Sequence, residues 1–190
     1  VALSRLANAR AALSFVESLL DQSPGVPVVY RSIGIVHSPH AHLDGMPLQP
    51  IADHLGETRI EVGEPFRGCL ADLDGFSHVW IIAHLHESAG WTATVPAFLD
   101  DEPRGTFGTR SPHRPNPLGL SLARIVEVGP DTVVVAGSDL LDGTPVLDLK
   151  PYVPLFDAPA EDVVAGWFEG RAERVFERTS DSRFTPRTNR

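Results

Sequence analysis

Residues 108–121, GTRSPHRPNPLGLS, place prolines at 112, 115 and 117 directly before the apolar alternation LGLSLARIVEV. Each proline lacks an N–H donor and fixes φ, so neither a helix interior nor a central strand runs through this stretch. The prolines are expected to hold this stiff loop extended, so that Arg110 and Arg114 need not share one pocket, and the chain enters a strand immediately afterwards. The same stretch holds Arg110, His113, Arg114 and Asn116. Prolines lower the entropy of the unfolded loop, so these polar groups reach their folded positions nearly preorganised. Guanidinium forks suit carboxylates and phosphates, and the asparagine amide suits an amide or a base edge. The plainer alternative is a rigid surface turn whose arginines pair with neighbouring acids.

Strand-like runs dominate the centre of the 190-residue chain. VVYRSIGIV (28–36), TRIEV (58–62), FSHVWIIAHLH (76–86) and TPVLDLKPYVP (144–154) are β-branched or centrally apolar and end at turn residues. LSLARIVEV, GPD and TVVVAGSDL together read as a hairpin or meander. SPHAHLDGMPLQPIADHLGE (38–57) carries three prolines and reads as a long loop of a kind that is usually functional. Helical spacing is confined to the ends. Leu3, Leu6, Leu13, Val16, Leu19 and Leu20 form an apolar stripe stopped by SPG at 23–25, and AEDVVAGWFEGRAERVF (160–176) reads as a second helix. The expected fold is mostly β, a barrel or a strongly curved sheet, with a helix at each end. The boundaries expected are a helical extension over 1–27, the β domain over 28–157, and a C-terminal helix and basic tail over 158–190.

Several function classes drop out. No run of eighteen apolar residues offers a membrane span. Arg5, Arg10 and Glu17 interrupt the N-terminus too often for a signal-peptide core. Cys69 is the only cysteine, which excludes a disulfide framework or a cysteine zinc cluster. These features suggest a cytoplasmic protein. A net charge of −9 argues against a general nucleic-acid coat protein. Yet Pro103–Val126 holds arginines at 104, 110, 114 and 124 and no acidic residue. The tail adds arginines at 171, 174, 178, 183, 187 and 190 against three acids. Glycine fingerprints for dinucleotides or phosphates, the GxSxG elbow and HExxH are all missing.

Two further clusters carry candidate chemistry. In SDLLDGTPVLDLKPY (138–152), Asp139 ends an apolar strand, as a ligand group or an edge residue. Asp142 precedes Gly143 and reads as turn chemistry, while Asp148 and Lys150 share a strand face and read as an ion pair. His84 and His86 have a spacing some metal sites use, but no third ligand follows from the sequence, so solvated or hydrogen-bonded histidines are the better reading.

IGIVHSPH, GCLADLDGFSHVWIIAHLH, GTFGTRSPHRPNPLGLS and DLLDGTPVLDLKPYVP occur in this order. Over residues 30–157 the chain thereby resembles the TsaA family of TrmO-like, S-adenosylmethionine-dependent methyltransferases. The resemblance implies a small, non-Rossmann β-barrel, a homodimer, and methylation of the threonylcarbamoyl-modified adenosine beside the tRNA anticodon. It implies cofactor contacts at Pro50, Ile51 and Ala52, at His86 and Glu87, at Arg110 and Leu120, and at Gly137, Ser138, Asp139 and Leu140. Glu87 stands where relatives often have glutamine, and Ile51 where they have glycine.

The methyl donor is a cation, so Glu87 and Asp139 suit it, and Arg110 suits its carboxylate. Asp139 and His86 are the candidate proton acceptors, and Arg114 and Asn116 are expected to face the methyl acceptor. No metal is expected. Other readings are a family member methylating a small-molecule nitrogen, a non-catalytic S-adenosylmethionine-binding protein, and a histidine metal enzyme.

Overall fold

The structure is a computed structural model and describes residues 25–43, 56–88, 90–96 and 102–170. The chain divides into two compact units, Val1–Arg31 and Ser32–Arg190. The expected helix over residues 1–20, residues 44–55 of the long loop and the tail from 171 lie outside the described residues.

In the second unit six strands close into a barrel: β1 (Gly34–His37), β2 (Glu57–Val62), β3 (His78–His84), β6 (Leu118–Val128), β7 (Thr132–Ala136) and β8 (Pro145–Pro151). Two short strands, β4 (Thr94–Pro96) and β5 (Pro103–Gly105), form a separate hairpin sheet. The barrel order is β1-β2-β7-β6-β3-β8, with β8 returning to β1 and every pair antiparallel.

Period-two alternation decides which side chains enter the core. β2 buries Thr58, Ile60 and Val62; β3 buries Val79, Ile81 and Ala83; β7 buries Val133 and Val135. Val36, Ala123, Leu140 and Val146 complete the centre. Branched side chains of this size pack well on pleated strands and fill a small barrel. β6 bends to serve two neighbours. Its residues 118–124 pair with β3, and the rest pairs with β7 across a register shift between Ile125 and Glu127. Such a bulge adds twist and helps a sheet of few strands to close.

Some expectations are corrected. The run VVYRSIGIV pairs only from its end: Val28, Val29 and Tyr30 are exposed, and β1 begins at Gly34. The helix expected over 160–176 is absent from its described part, where a single 3-10 turn spans Gly166–Phe168. Gly166 and Gly170 take φ of +58° and +68°. Glycine inside a helix also costs about 1 kcal/mol relative to alanine. Tertiary contacts win instead: the Trp167 Nε1–H donates to the Gly108 carbonyl at 2.7 Å, and Arg104 lies over the Trp167 ring. The one α-helix among the described residues is the turn Pro154–Asp157.

Gly34 sits where β1 meets both β2 and β8, opposite Val62 and Val146. A Cβ there would run into the backbone carbonyl oxygen of Glu61. Gly34→Ala is expected to cost about 1–3 kcal/mol or more, the range of overpacked positions. A urea unfolding midpoint unchanged from the parent protein would contradict this.

Candidate functional site

One cavity of about 610 Å³ opens where strand ends and the proline-rich loop converge. That is an ordinary size for a small-molecule site. Its walls are Leu85–Ser88 after β3, parts of the 107–116 loop, the start of β6 at Leu118–Leu120, and residues from Asp139 to Thr144 ahead of β8.

Hydrogen bonds stiffen the loop beyond what its prolines do. The Ser111 N–H donates to Thr109 Oγ1 at 3.3 Å, the His113 N–H to Ser111 Oγ at 3.2 Å, and the Arg114 N–H to the Pro112 carbonyl at 2.9 Å. Ser88 Oγ donates to the Pro112 carbonyl and the Leu85 N–H to the Pro117 carbonyl, each at 2.8 Å, which ties the loop to the end of β3. Prolines give no donor but accept normally. The loop is thus a chain of tight turns, not an extended segment. Arg110 and Arg114 consequently line the same cavity. The Arg110 Nη2 donates to the Leu120 carbonyl at 3.3 Å. The Arg114 Nη1 lies 3.4 Å from both the Thr109 and Ser111 carbonyls, so this head braces its own loop.

Asp139 is set by the turn that follows β7. Gly137 takes φ +77°, a conformation glycine adopts without strain. Ser138 is buried, and its Oγ accepts the Leu140 N–H at 3.3 Å. Asp139 then lines the cavity and accepts a hydrogen bond of 2.5 Å from Ser121 Oγ. Ser121 is itself 2% exposed on the inner face of β6. Burial pushes the Asp139 carboxyl above the usual carboxylate range. Ser121, a hydrogen bond to its own backbone and the Arg110 charge oppose that push, and burial prevails.

His86 and Glu87 form the wall after β3, with His86 Nε2 3.7 Å from Glu87 Oε1. Gly119 lets neighbouring walls meet, because a Cβ there would stand 2.9 Å from Leu85 Cδ2 and 3.6 Å from Leu140 Cδ2.

Of the residues singled out from sequence, His86, Glu87, Arg110, Arg114, Asn116, Leu120, Asp139 and Leu140 line this cavity. Gly137 and Ser138 shape the turn beside it without lining it, and Pro50, Ile51 and Ala52 lie outside the described residues. Sequence reasoning missed Ser121, Phe107 and Gly119. Ser121 carries a readable signal: alternation puts it on the inward face with Ala123, where a hydroxyl needs a partner. Elsewhere, the Asp142 carboxylate accepts the Ser38 N–H at 3.1 Å beside Gly143 at φ +77°, a turn as expected. Lys150 pairs with Asp148 at 2.8 Å. Among the described residues no group of three or more His, Cys, Asp or Glu side chains is placed to hold a metal ion. None of their helices is long and apolar enough to cross a membrane.

The tRNA-methyltransferase O N-terminal domain matches residues 35–158, more than half of the chain. A Pyrococcus abyssi protein named a probable S-adenosyl-L-methionine-binding protein is 40% identical over 157 residues, covering 83% of this chain and 85% of its own. The Escherichia coli tRNA (adenine(37)-N6)-methyltransferase is 38% identical over 139 residues, covering 68% of this chain. The crystal structure of TrmO from Pseudomonas aeruginosa superposes with a TM-score of 0.62 at 34% identity over 74% of this chain. The chain spans 59% of the length of the Escherichia coli relative and 62% of that TrmO structure.

The raised Asp139 carboxyl makes a signed prediction. Its folded pKa exceeds its unfolded one, so between the two values the folded state holds the extra proton and stability falls as pH rises. Below about pH 4 both states are protonated and the effect vanishes. Asp139→Asn, which keeps an acceptor for Ser121, is expected to raise the thermal midpoint at pH 7–8. The gain should shrink to nothing below about pH 4. Calorimetry across that range checks it, and a variant less stable than the parent at neutral pH would contradict it.

Proposed function

The chain belongs to the tRNA-methyltransferase O N-terminal domain family, and on that premise we propose that it is an S-adenosylmethionine-dependent methyltransferase acting on an adenine of tRNA. The observation that carries this reading is the meeting of Asp139, Arg110, His86 and Glu87 on one cavity inside the matched domain. The names of the Escherichia coli, mouse and human relatives, all tRNA (adenine(37)-N6)-methyltransferases, supply the reaction. The acceptor we favour is the threonylcarbamoyl-modified adenosine beside the anticodon, at the nitrogen carrying that group. The working form we favour is a cytoplasmic homodimer, which gives cover to the exposed Leu118 and Leu120 at the cavity.

The residues fit the cofactor. A cavity of about 610 Å³ lined by two carboxylates and two guanidinium groups matches a ligand with a positive sulfur and a carboxylate. Asp139 and Glu87 would hold the cationic end, Arg110 the carboxylate, and Leu120 and Leu140 the apolar parts. When bound, the cofactor supplies an electrophilic methyl group. The protein's part is positioning and proton transfer. A carbamoylated nitrogen holds its lone pair in conjugation, so removing its proton as the new C–N bond forms makes it a better nucleophile. A carboxyl raised by burial is a stronger base than an ordinary one, and Asp139 has that environment. His86 is the second candidate for the proton. Orientation within such a site contributes up to roughly 7–11 kcal/mol of the barrier.

The test is transfer of labelled methyl from S-adenosylmethionine to tRNA from a strain lacking the modification. Label in the tRNA supports the reading, and label only in a metabolite extract overturns it in favour of a small-molecule acceptor. Arg110→Ala is expected to weaken cofactor binding by roughly 10- to 100-fold, the loss of a charged hydrogen bond. Calorimetric titration measures it. Light scattering at micromolar concentration should give twice the chain mass.

A further inference from the structure

Phe107 lies on the cavity wall, yet it is among the most exposed large hydrophobic residues of those described, at 81%. A single exposed phenylalanine is ordinary. What sets this one apart is the backbone beneath it. Phe107 is the middle residue of the 3-10 turn Thr106–Gly108, and that turn is tethered on every side. Thr106 is buried; its N–H donates to the Ala93 carbonyl at 3.0 Å and its hydroxyl to the Thr92 carbonyl. Its carbonyl accepts both the N–H and the hydroxyl of Thr109, at 3.1 and 2.9 Å. The Gly108 carbonyl accepts the Trp167 Nε1–H at 2.7 Å, from a segment outside the barrel. Five hydrogen bonds therefore fix a turn whose one large apolar group is held out in water at the cavity's edge.

We infer that the Phe107 ring is the platform on which the base of the acceptor nucleotide stacks. The inference rests on the proposed tRNA acceptor and assigns it a residue. With the backbone beneath it fixed, the ring gives up only side-chain rotation when a flat base covers it, and base–aromatic stacking is the common means of holding an unpaired nucleotide. The surroundings favour a nucleotide of a polyanionic chain over other occupants. With Arg110 and the carboxylates Glu87 and Asp139 assigned to the cofactor, Arg114 and Asn116 remain on the same cavity, and the window from Pro103 to Val126 holds four arginines and no acid. A group so exposed is within reach of a macromolecule, whereas the half-buried Asp139, bonded to the buried Ser121, is left to the cofactor.

The experiment uses an anticodon stem-loop RNA with 2-aminopurine, which loses fluorescence when stacked, at the base that receives the methyl group. It compares the full chain with Phe107→Leu and Phe107→Tyr in the presence of S-adenosylhomocysteine. The parent and Phe107→Tyr are expected to quench the probe. Phe107→Leu should leave it bright and weaken RNA binding by about 5- to 50-fold, with cofactor affinity and thermal midpoint unchanged. Equal quenching by the leucine variant overturns the inference. So does a matching loss of cofactor affinity, which would put the ring against the cofactor, or a shift to half the mass, which would put it against a second copy. If the parent protein methylates tRNA and Phe107→Leu methylates it equally well, the inference falls and the proposed function stands. If the parent neither binds the stem-loop nor methylates tRNA, both fall.

Discussion

Closure of the barrel depends on a short seam. β1 and β8 share the registered pairs Gly34–Val146 and Ile35–Pro145, and Pro145 brings no donor to the ladder. The seam is lengthened at both ends by loops. The Ile33 N–H donates to the Val146 carbonyl at 2.8 Å and the Val36 N–H to the Thr144 carbonyl at 2.9 Å. Beyond them the Gly143 N–H reaches the Val36 carbonyl, the Asp142 N–H reaches the His40 carbonyl, and Ser38 Oγ reaches the Leu140 carbonyl. These bonds carry strand-like pairing into the segment that holds Leu140, Leu141 and Thr144 on the cavity wall. The contact that closes the core therefore also sets one side of the site.

The opposite wall is set by a different device. Proline carbonyls at 112 and 117 accept donors from Ser88 and Leu85, so the cationic loop is fastened to the end of β3 without any ladder. Between the two walls stands a carboxylate that the fold does not favour as an anion. Asp139 has one short bond from Ser121, a hydrogen bond to its own backbone and the charge of Arg110, and together these do not offset its burial. Local instability of this kind gathers at working sites, where the perturbed group has a task in return. Under the proposed chemistry that task is to take a proton from a reluctant nitrogen.

Much of the barrel was legible because its strands obey one period. TRIEV, the centre of FSHVWIIAHLH and TVVVAGSDL alternate or cluster their branched residues, and the strands fall on them within two or three residues at most ends. Where the signal was composition without a pairing partner, the reading failed. Val28–Tyr30 look like a strand, but the ladder starts only at Ile33 and Gly34. AEDVVAGWFEG looks amphipathic, but two glycines with positive φ and the pull of Trp167 toward Gly108 outweigh the pattern. The β4–β5 hairpin was invisible, since three-residue strands carry too little period to read. The residues that line the cavity were legible mainly through motif resemblance. Its physical supports were not: Ser121 and Gly119 matter through what faces them across the barrel, and no local pattern announces a facing residue.

The proline–arginine loop shows why structural and functional readings of one stretch need not compete. Arg114 does what a structural arginine does, bracing the Thr109 and Ser111 carbonyls of its own turn. Arg110 hydrogen-bonds the Leu120 carbonyl across the cavity's edge and acts on the Asp139 carboxyl through its charge. A flexible loop would spread both guanidinium groups over many positions and lose most of the field at Asp139, since Coulomb interaction falls quickly once water intervenes. The rigidity built by the prolines, by the Ser88 bond and by the bracing of Arg114 is what lets Arg110 act at one distance. In this loop the structural residues are the condition for the role proposed for Arg110, and the sequence order TRSPHRPNP puts both within a single turn system.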